Sequence, residues 1–358
     1  MDGRLVSPLR IPAHRCLEKN GRTDCRVSNE MEPMELPASV LITGVTGCVG
    51  SALARRLISL GVETSGIVRS SQVDAGPVGL QRFVCEHFSR EELDGVLIQA
   101  KPRFVIHLAA AGVSKGPSDI ETLLHANVDF TVNLVRAAAV TQSAMLHTGS
   151  CFEYGSTDEL TLSERAYLQP FSLYGATKAA SVHLSLGLAR QLSLPLVVLR
   201  LFGIYGPGEA PGRLIPQLIR SLNSNQAIDL TAGTQQRDLL FVEDVVDAYL
   251  AAMRQWEHLD NLGTYNVCCG QPTTVRQVGE CLATEMQRSQ ELLRWGTLAA
   301  RAGEPARIVG DGERFRRATG WQPGHDLRSG LQKTVEAFNS FHTVGAAQSS
   351  DAAVARAA

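Results

Sequence analysis

Between positions 37 and 335 the apolar residues alternate between short continuous runs and helix-spaced stretches. Ser39–Thr43 and Glu63–Val68 read as strands. Ser51–Leu60 between them reads as a helix, with Leu53, Leu57 and Leu60 on one face. The rhythm continues with a helix over Glu91–Gln99, a strand over Arg103–Ala109 and a helix over Val128–Val140. A strand over Ala144–Thr148, a long helix over Tyr174–Leu192 and a strand over Leu196–Leu201 follow. Continuous apolar strands alternating with helices predict a parallel sheet covered on both faces, a Rossmann-type doubly wound α/β fold. After Phe202 Gly and Pro become frequent, as in Tyr205–Gly212. That change predicts a smaller C-terminal α/β substrate lobe at the sheet edge where ligands of such folds bind.

The expected division is a leader over 1–36, a dinucleotide-binding domain over 37–201, a substrate lobe over 202–335 and a C-terminal tail over 336–358. Within the lobe, about 237–255 is expected to return to the large sheet. The leader mixes arginines with acidic residues, without an apolar period or the apolar run of a secretory signal. It reads as disordered, with an Arg-rich transit segment and translation from Met31 or Met34 as the alternatives. Val344–Ala358 is Ala- and Ser-rich and reads as a loose tail.

Bulk properties narrow the function classes. The longest apolar runs, Phe104–Ala111 and Leu194–Leu199, have strand length, well short of the roughly 18 residues of a membrane span. A net charge of −2 offers no attraction to nucleic acid or an anionic membrane, so an acidic ligand must be met by a local arginine cluster. The eight cysteines lack zinc-type spacing, which predicts reduced thiols, no metal and a cytoplasmic setting. His107, His147 and His183 read as satisfied packing residues, and Trp295 and Trp321 as packing for the small lobe.

Chemistry enters at the first strand–helix turn. Gly44-Val45-Thr46-Gly47-Cys48-Val49-Gly50 brings backbone close to a pyrophosphate and aims a helix N-terminus at it. Thr46, Cys48 and Val49 join the three glycines as cofactor contacts. The second strand ends in Val68-Arg69-Ser70-Ser71. With no acid there to accept from a ribose hydroxyl, Arg69 and Ser70 predict NADP(H), with NAD(H) as the alternative.

Tyr174 and Lys178 lie four apart and so share a helix face. An ammonium beside a phenol favours the phenolate, so Lys178 is expected to lower the Tyr174 pKa and fit it for proton exchange with a substrate oxygen. Ser150, at a strand end in Thr148-Gly149-Ser150-Cys151-Phe152-Glu153-Tyr154-Gly155, offers a hydroxyl to the same oxygen.

Together these motifs resemble the NAD-dependent epimerase/dehydratase branch of the extended short-chain dehydrogenases, over Val40 to Val335. The resemblance implies a catalytic triad of Ser150, Tyr174 and Lys178. It places Leu108, Ala109 and Ala110 of His107-Leu108-Ala109-Ala110, with Asn127, beside the cofactor. Leu199–Gly208, Arg237–Val245, Arg301-Ala302-Gly303-Glu304 and Gly320-Trp321-Gln322-Pro323 resemble the late motifs of its sugar-nucleotide enzymes. By resemblance Arg237 and Arg301 hold a substrate diphosphate, a task that suits the guanidinium fork. Cys151 and Arg213 complete the expected substrate contacts. The helices over Val128–Val140 and Tyr174–Leu192 resemble those that pair in homodimers of the family.

Two departures bear on the reaction. The family's 4,6-dehydratases carry Asp-Glu after the catalytic hydroxyl, where this chain has Cys151 and Phe152, with Glu153 expected to point away. Gly203 stands where many members have Asn. The expected activity is an NADPH-dependent reductase of a nucleotide-linked 4-keto-deoxysugar. A 4-epimerase with tightly bound NAD is the alternative. A non-sugar carbonyl reductase and a non-catalytic scaffold are weaker readings.

Overall fold

Side-chain alternation along each strand decides what covers the sheet. The computed structural model describes residues 35–113, 119–155, 159–300 and 303–354. The first part contains β1 (Ser39–Thr43), α1 (Cys48–Ser59), β2 (Glu63–Val68), β3 (Gln81–Val84), α2 (Arg90–Ala100) and β4 (Phe104–His107). It continues with α3 (Ile120–Leu124), α4 (Phe130–Thr141), β5 (Ala144–Ser150), α5 (Leu173–Leu192) and β6 (Leu196–Leu201). The second part runs through β7 (Gly203–Tyr205), α6 (Leu214–Asn223), β8 (Ile228–Leu230), β9 (Gln236–Arg237), β10 (Leu239–Phe241) and α7 (Val242–Arg254). After these come β11 (Thr264–Val267), β12 (Thr273–Thr274), α8 (Val275–Glu285), β13 (Leu293–Trp295), β14 (Arg307–Ile308), α9 (Glu313–Thr319) and α10 (Leu327–Val354). The expected leader up to residue 34, the last four residues of the expected tail, and Arg301 lie outside the described residues.

Seven parallel strands form one sheet in the order β11-β6-β5-β4-β1-β2-β3. Val40, Ile42, Ile106, Leu146 and Leu199 face one way, into a core shared with Leu53 and Leu57 of α1 and Val245 and Tyr249 of α7. Leu41, Val105, Met145 and Val198 face the other way, against Leu93 of α2, Leu134 of α4 and Val182 of α5. Burying both faces of a parallel sheet produces the continuous apolar strands seen in the sequence. The strand order reverses between β1 and β4, which opens a crevice at their carboxyl ends.

β3 has no counterpart in the predicted elements. It is a short edge strand with Gln81 and Val84 exposed, so it carries no buried apolar run to read. Of the stretch at about 237–255, expected to return to the large sheet, α7 packs on that sheet's core. β9 and β10 belong to small separate sheets, and the returning elements are α7 and β11. Trp321 packs on Phe315 and the α7 side of the large core, donating from Nε1 to the Asp244 carbonyl, instead of serving the small lobe. The stretch from 336, expected as a tail, continues α10 to Val354; its alanines are strong helix formers.

The small lobe has its own core of Ile215, Leu218 and Leu222 of α6, Leu282 of α8 and Leu331 of α10. Asp238 ties lobe loops together, accepting from the amides of Cys269 and Gly270, each at 2.8 Å, and of Gly310 at 3.2 Å. Among the described residues no helix is long and apolar enough to cross a membrane.

Replacing Trp321 by Ala removes a buried aromatic from the junction of α7 and α9. It is expected to cost about 3–5 kcal/mol, read as a lower denaturant midpoint with an unchanged slope.

Candidate active site

The crevice between β1 and β4 is built for close backbone approach. Gly44 has φ +69, and a Cβ there would lie 2.7 Å from the Ala109 amide nitrogen after β4. A Cβ on Gly50 would collide with the Gly44 carbonyl oxygen, so only glycine lets α1 start this near β1. Gly47 caps α1 without a side-chain hydrogen bond, and the first turn carries no acid. Its amides and positive dipole end therefore remain for an anion, and Thr46, Cys48 and Val49 sit at that rim. These features fit a dinucleotide pyrophosphate.

The segment after β4 is tied down from two sides. Ala109 donates to Thr43 Oγ1 at 3.2 Å. Asn127, in a π-helical turn over His125–Asp129, accepts from the Ala111 amide at 2.8 Å and donates to Thr177 Oγ1 at 3.0 Å. Asn127 was expected to touch the cofactor. It spends both ends of its amide on the Ala111 loop and α5, and so fixes the segment that continues Leu108, Ala109 and Ala110.

At the end of β2, Arg69 is exposed, and Ser70 is engaged in a way the sequence did not suggest. The Ser70 amide donates to Glu86 Oε1 at 2.7 Å. Hydrogen bonds from Ser70, with lesser help from His87 and Arg69, hold the Glu86 carboxyl below its ordinary value. Ser70 is thus not a free phosphate donor, and a carboxylate stands beside Arg69. Glu86 went unnoticed because it follows β3, the strand with no readable pattern.

Ser150, Tyr174 and Lys178 come together from β5 and α5. The Ser150 hydroxyl is the hydrogen-bonding neighbour of the Tyr174 phenol. Burial pushes Tyr174 up to about 12, with Ser150 pulling the other way. Burial lowers Lys178 to about 8, opposed by Glu153. This corrects the expected activation: in the protein alone, desolvation outweighs any help from the ammonium, and Tyr174 stays a protonated phenol at neutral pH.

Cys151 and Phe152 line the same wall. Cys151 is buried, which pushes its thiol up to about 12, and Arg237 and Arg213 exert opposing fields on it. The Phe152 ring lies 5.6 Å from Phe171 and 6.1 Å from Tyr174. Glu153 faces away from the cleft and pairs with Arg200, Oε2 to Nη2 at 2.8 Å.

Two of the arginines expected at the substrate, Arg237 as a diphosphate ligand and Arg213 as a further contact, pair with carboxylates. Arg237 Nη2 pairs with Glu304 Oε1 at 2.8 Å. Arg213 Nε pairs with Glu209 Oε1 at 3.0 Å, and its Nη1 donates to the Val113 carbonyl. Glu209 Oε2 is buried with no partner among the described residues. Arg301, the other expected clamp, lies outside the described residues. Gly203 is required locally, since a Cβ there would lie 2.7 Å from the Asp238 carbonyl oxygen across the β7–β10 pair.

Of the three histidines, only His107 is satisfied as expected, between Thr43 Oγ1 at 2.7 Å and Thr131 Oγ1 at 2.9 Å. His147 is fully buried with both ring nitrogens unpartnered among the described residues. His183 lies on the exposed face of α5. No cluster of His, Cys, Asp and Glu among the described residues has metal-holding geometry.

A glycine cradle at the β1/β4 crevice and a Ser–Tyr–Lys set at the ends of β5 and α5 define an NAD(P)-dependent enzyme of the extended short-chain dehydrogenase/reductase type. The sequence profile of the NAD dependent epimerase/dehydratase family matches residues 40–268, and the chain belongs to that family. It is 29% identical over 328 residues to a dTDP-glucose 4,6-dehydratase of Neisseria meningitidis serogroup B, covering 83% of this chain and 92% of that one. The fold is similar to the UDP-glucose 4-epimerase of Thermotoga maritima with UDP-glucose. That match has a TM-score of 0.78 and 23% identity, over 85% of this chain and 99% of that one. It is similar also to MoeE5 in complex with UDP-glucose and NAD, with a TM-score of 0.75 and 28% identity over 84% and 99% of the two chains.

A lysine whose folded pKa lies below its ordinary value weakens the fold at every pH below the folded value. The penalty fades as pH rises from there toward the unfolded value. Lys178→Met is therefore expected to melt above the wild type at neutral pH, with the gap closing as pH climbs past about 8 toward the lysine's ordinary value. A gap that does not change with pH would show that the ammonium is compensated in the folded protein.

Proposed function

We propose that this enzyme reduces the 4-keto group of a nucleotide-linked deoxyhexose. The observation that carries this reading is the wall beside Tyr174. Cys151 and Phe152 stand where a dehydratase needs an acid and a base, and Glu153 is turned into the protein against Arg200. Elimination of water has no acid–base pair here, whereas a thiol and two phenyl rings suit a deoxygenated carbon such as a C6 methyl group.

The nicotinamide supplies the hydride. Tyr174, protonated at neutral pH, donates its proton to the oxygen that becomes the product hydroxyl, which suits reduction better than oxidation. Ser150 hydrogen-bonds the same oxygen and orients the carbonyl. Lys178 lies one helical turn along α5 from Tyr174 and supports it from the cofactor side. Arg237 and Arg213 exchange their carboxylate partners for the diphosphate, and Arg301 joins them there. Leu173 and Leu184, 55% and 45% exposed on α5, support pairing of two copies through α4 and α5. Nucleotide sugars and reduced cofactor as reactants suit a cytoplasmic setting.

A second reading, 4-epimerisation with bound NAD, is favoured by the Glu86 carboxylate beside Arg69. The NAD seen in the MoeE5 complex is consistent with it. The first test is cofactor content. The purified protein is denatured, released nucleotide identified, and fresh protein titrated with NADPH and NADH. No bound nucleotide together with turnover of 4-keto-6-deoxy sugar nucleotides supports the reductase. Near-stoichiometric NAD together with interconversion of UDP-sugars replaces it with the epimerase.

Tyr174→Phe is expected to lower kcat by about 10²–10⁴-fold while leaving reduced-cofactor binding unchanged by fluorescence titration. Arg237→Ala is expected to raise KM for the sugar nucleotide. An unchanged KM would point to a substrate without a diphosphate.

A further inference from the structure

Glu153 takes no part in the chemistry above, yet it is 0% exposed and lies three residues from Ser150. Its oxygens divide their work. Oε1 accepts from the Ser150 amide at 2.6 Å, and Oε2 accepts from Arg200 Nε at 3.0 Å and Nη2 at 2.8 Å. Arg200 Nη1 donates to the Tyr154 hydroxyl at 2.7 Å, which donates to Asn266 Oδ1 at 2.7 Å. Asn266 Nδ2 then donates to the Leu162 carbonyl at 2.8 Å and the Asp311 carbonyl at 3.2 Å. One chain of hydrogen bonds thus runs from the backbone of Ser150 across β5, β6 and β11 to the loop before α5 and the loop at Asp311 in the lobe.

A buried ion pair of this kind adds little net stability over apolar packing, so its value lies in the geometry it enforces. The local sequence is shaped around it. A Cβ on Gly149 would lie 2.7 Å from Glu153 Oε1. The turn after β5 is a reciprocal cap, in which Ser150 Oγ accepts from the Phe152 amide at 3.3 Å while Glu153 takes the Ser150 amide. Oγ thus accepts from the Phe152 amide, and its hydroxyl reaches the Tyr174 phenol, where a substrate oxygen would meet it.

We propose that Glu153 is a positioning residue whose carboxylate, braced by Arg200, sets the backbone of Ser150 and hence the direction in which its hydroxyl meets the substrate oxygen. This rests on the hydride-transfer reading above and holds for reduction and epimerisation alike.

The test compares Glu153→Ala with the neutral pair Glu153→Gln/Arg200→Gln, which keeps an amide oxygen for Ser150 without burying an unpaired charge. Glu153→Ala is expected to lower kcat about 100-fold with KM within about threefold of wild type, the size expected of a misplaced catalytic group. The neutral pair is expected to recover kcat to within about tenfold of wild type, as removing both charges of a buried pair is tolerated. Hydrogen exchange supplies a readout that needs no substrate. The segment 146–155 is expected to lose protection in Glu153→Ala and regain it in the neutral pair, with 40–60 unchanged in both.

A neutral pair as inactive as Glu153→Ala, with protection restored, would overturn the proposal in favour of a direct acid–base role. Unchanged kcat in Glu153→Ala, or unchanged protection of 146–155, would overturn it outright. If no sugar nucleotide is turned over by the wild type, the functional reading fails while the exchange experiment still decides the bracing.

Discussion

Everything in this molecule hangs on a parallel sheet that must be covered on both faces. Backbone pairing consumes the polar groups within the sheet, and apolar side chains on both sides demand helices above and below. Every strand then runs the same way and all carboxyl ends share one edge. Because the order reverses between β1 and β4, two of those ends diverge, and the glycine turn at Gly44 and the Leu108–Ala110 segment face each other across the gap. Ser150, at the end of β5, and the start of α5 reach the same edge. The site is a consequence of sheet direction more than of any single contact.

Burial then tunes that site, in several directions at once. Desolvation raises the Tyr174 phenol, lowers the Lys178 ammonium to about 8, where it still carries its charge at neutral pH, and holds Cys151 as a thiol. In the deep interior Glu153 pairs with Arg200 and accepts from the Ser150 amide, partners that offset the cost of burying it. The protein alone is therefore poised as a proton donor beside an apolar wall. At the cleft mouth the arrangement inverts: Arg213 and Arg237 pair with Glu209 and Glu304. A neutral floor and a charged rim match a ligand with a weakly polar sugar and a diphosphate.

The lobe owes its register to Asp238. Next to Arg237, it gathers the amides of Cys269, Gly270 and Gly310, so two separate loops are located relative to one arginine. Such a carboxylate is costly to bury, and three donors offset the cost. It also explains Gly203, whose bare backbone lets β7 lie against β10 at Asp238.

The sequence by itself determined the elements with strong periodic signals. β1, β2 and β6 fall at the predicted residues, and α1, α2, α4 and α5 lie within a few residues of theirs, because continuous apolar runs and i, i+4 spacing are local properties. It also determined the chemistry written as short motifs, the Gly44–Gly50 turn and the Tyr174/Lys178 pair, since a turn or a helix face needs only neighbours in the chain. What depends on distant partners stayed hidden. β3 is a polar edge strand held by pairing alone, so neither it nor Glu86 beyond it could be read. The protonation of Tyr174, the binding of Arg200 to Glu153, the orphaned nitrogens of His147 and the seat of Trp321 each follow from which segments are packed together. Burial and partner choice are decided by contacts between residues far apart in the chain, and only the tertiary structure assembles them.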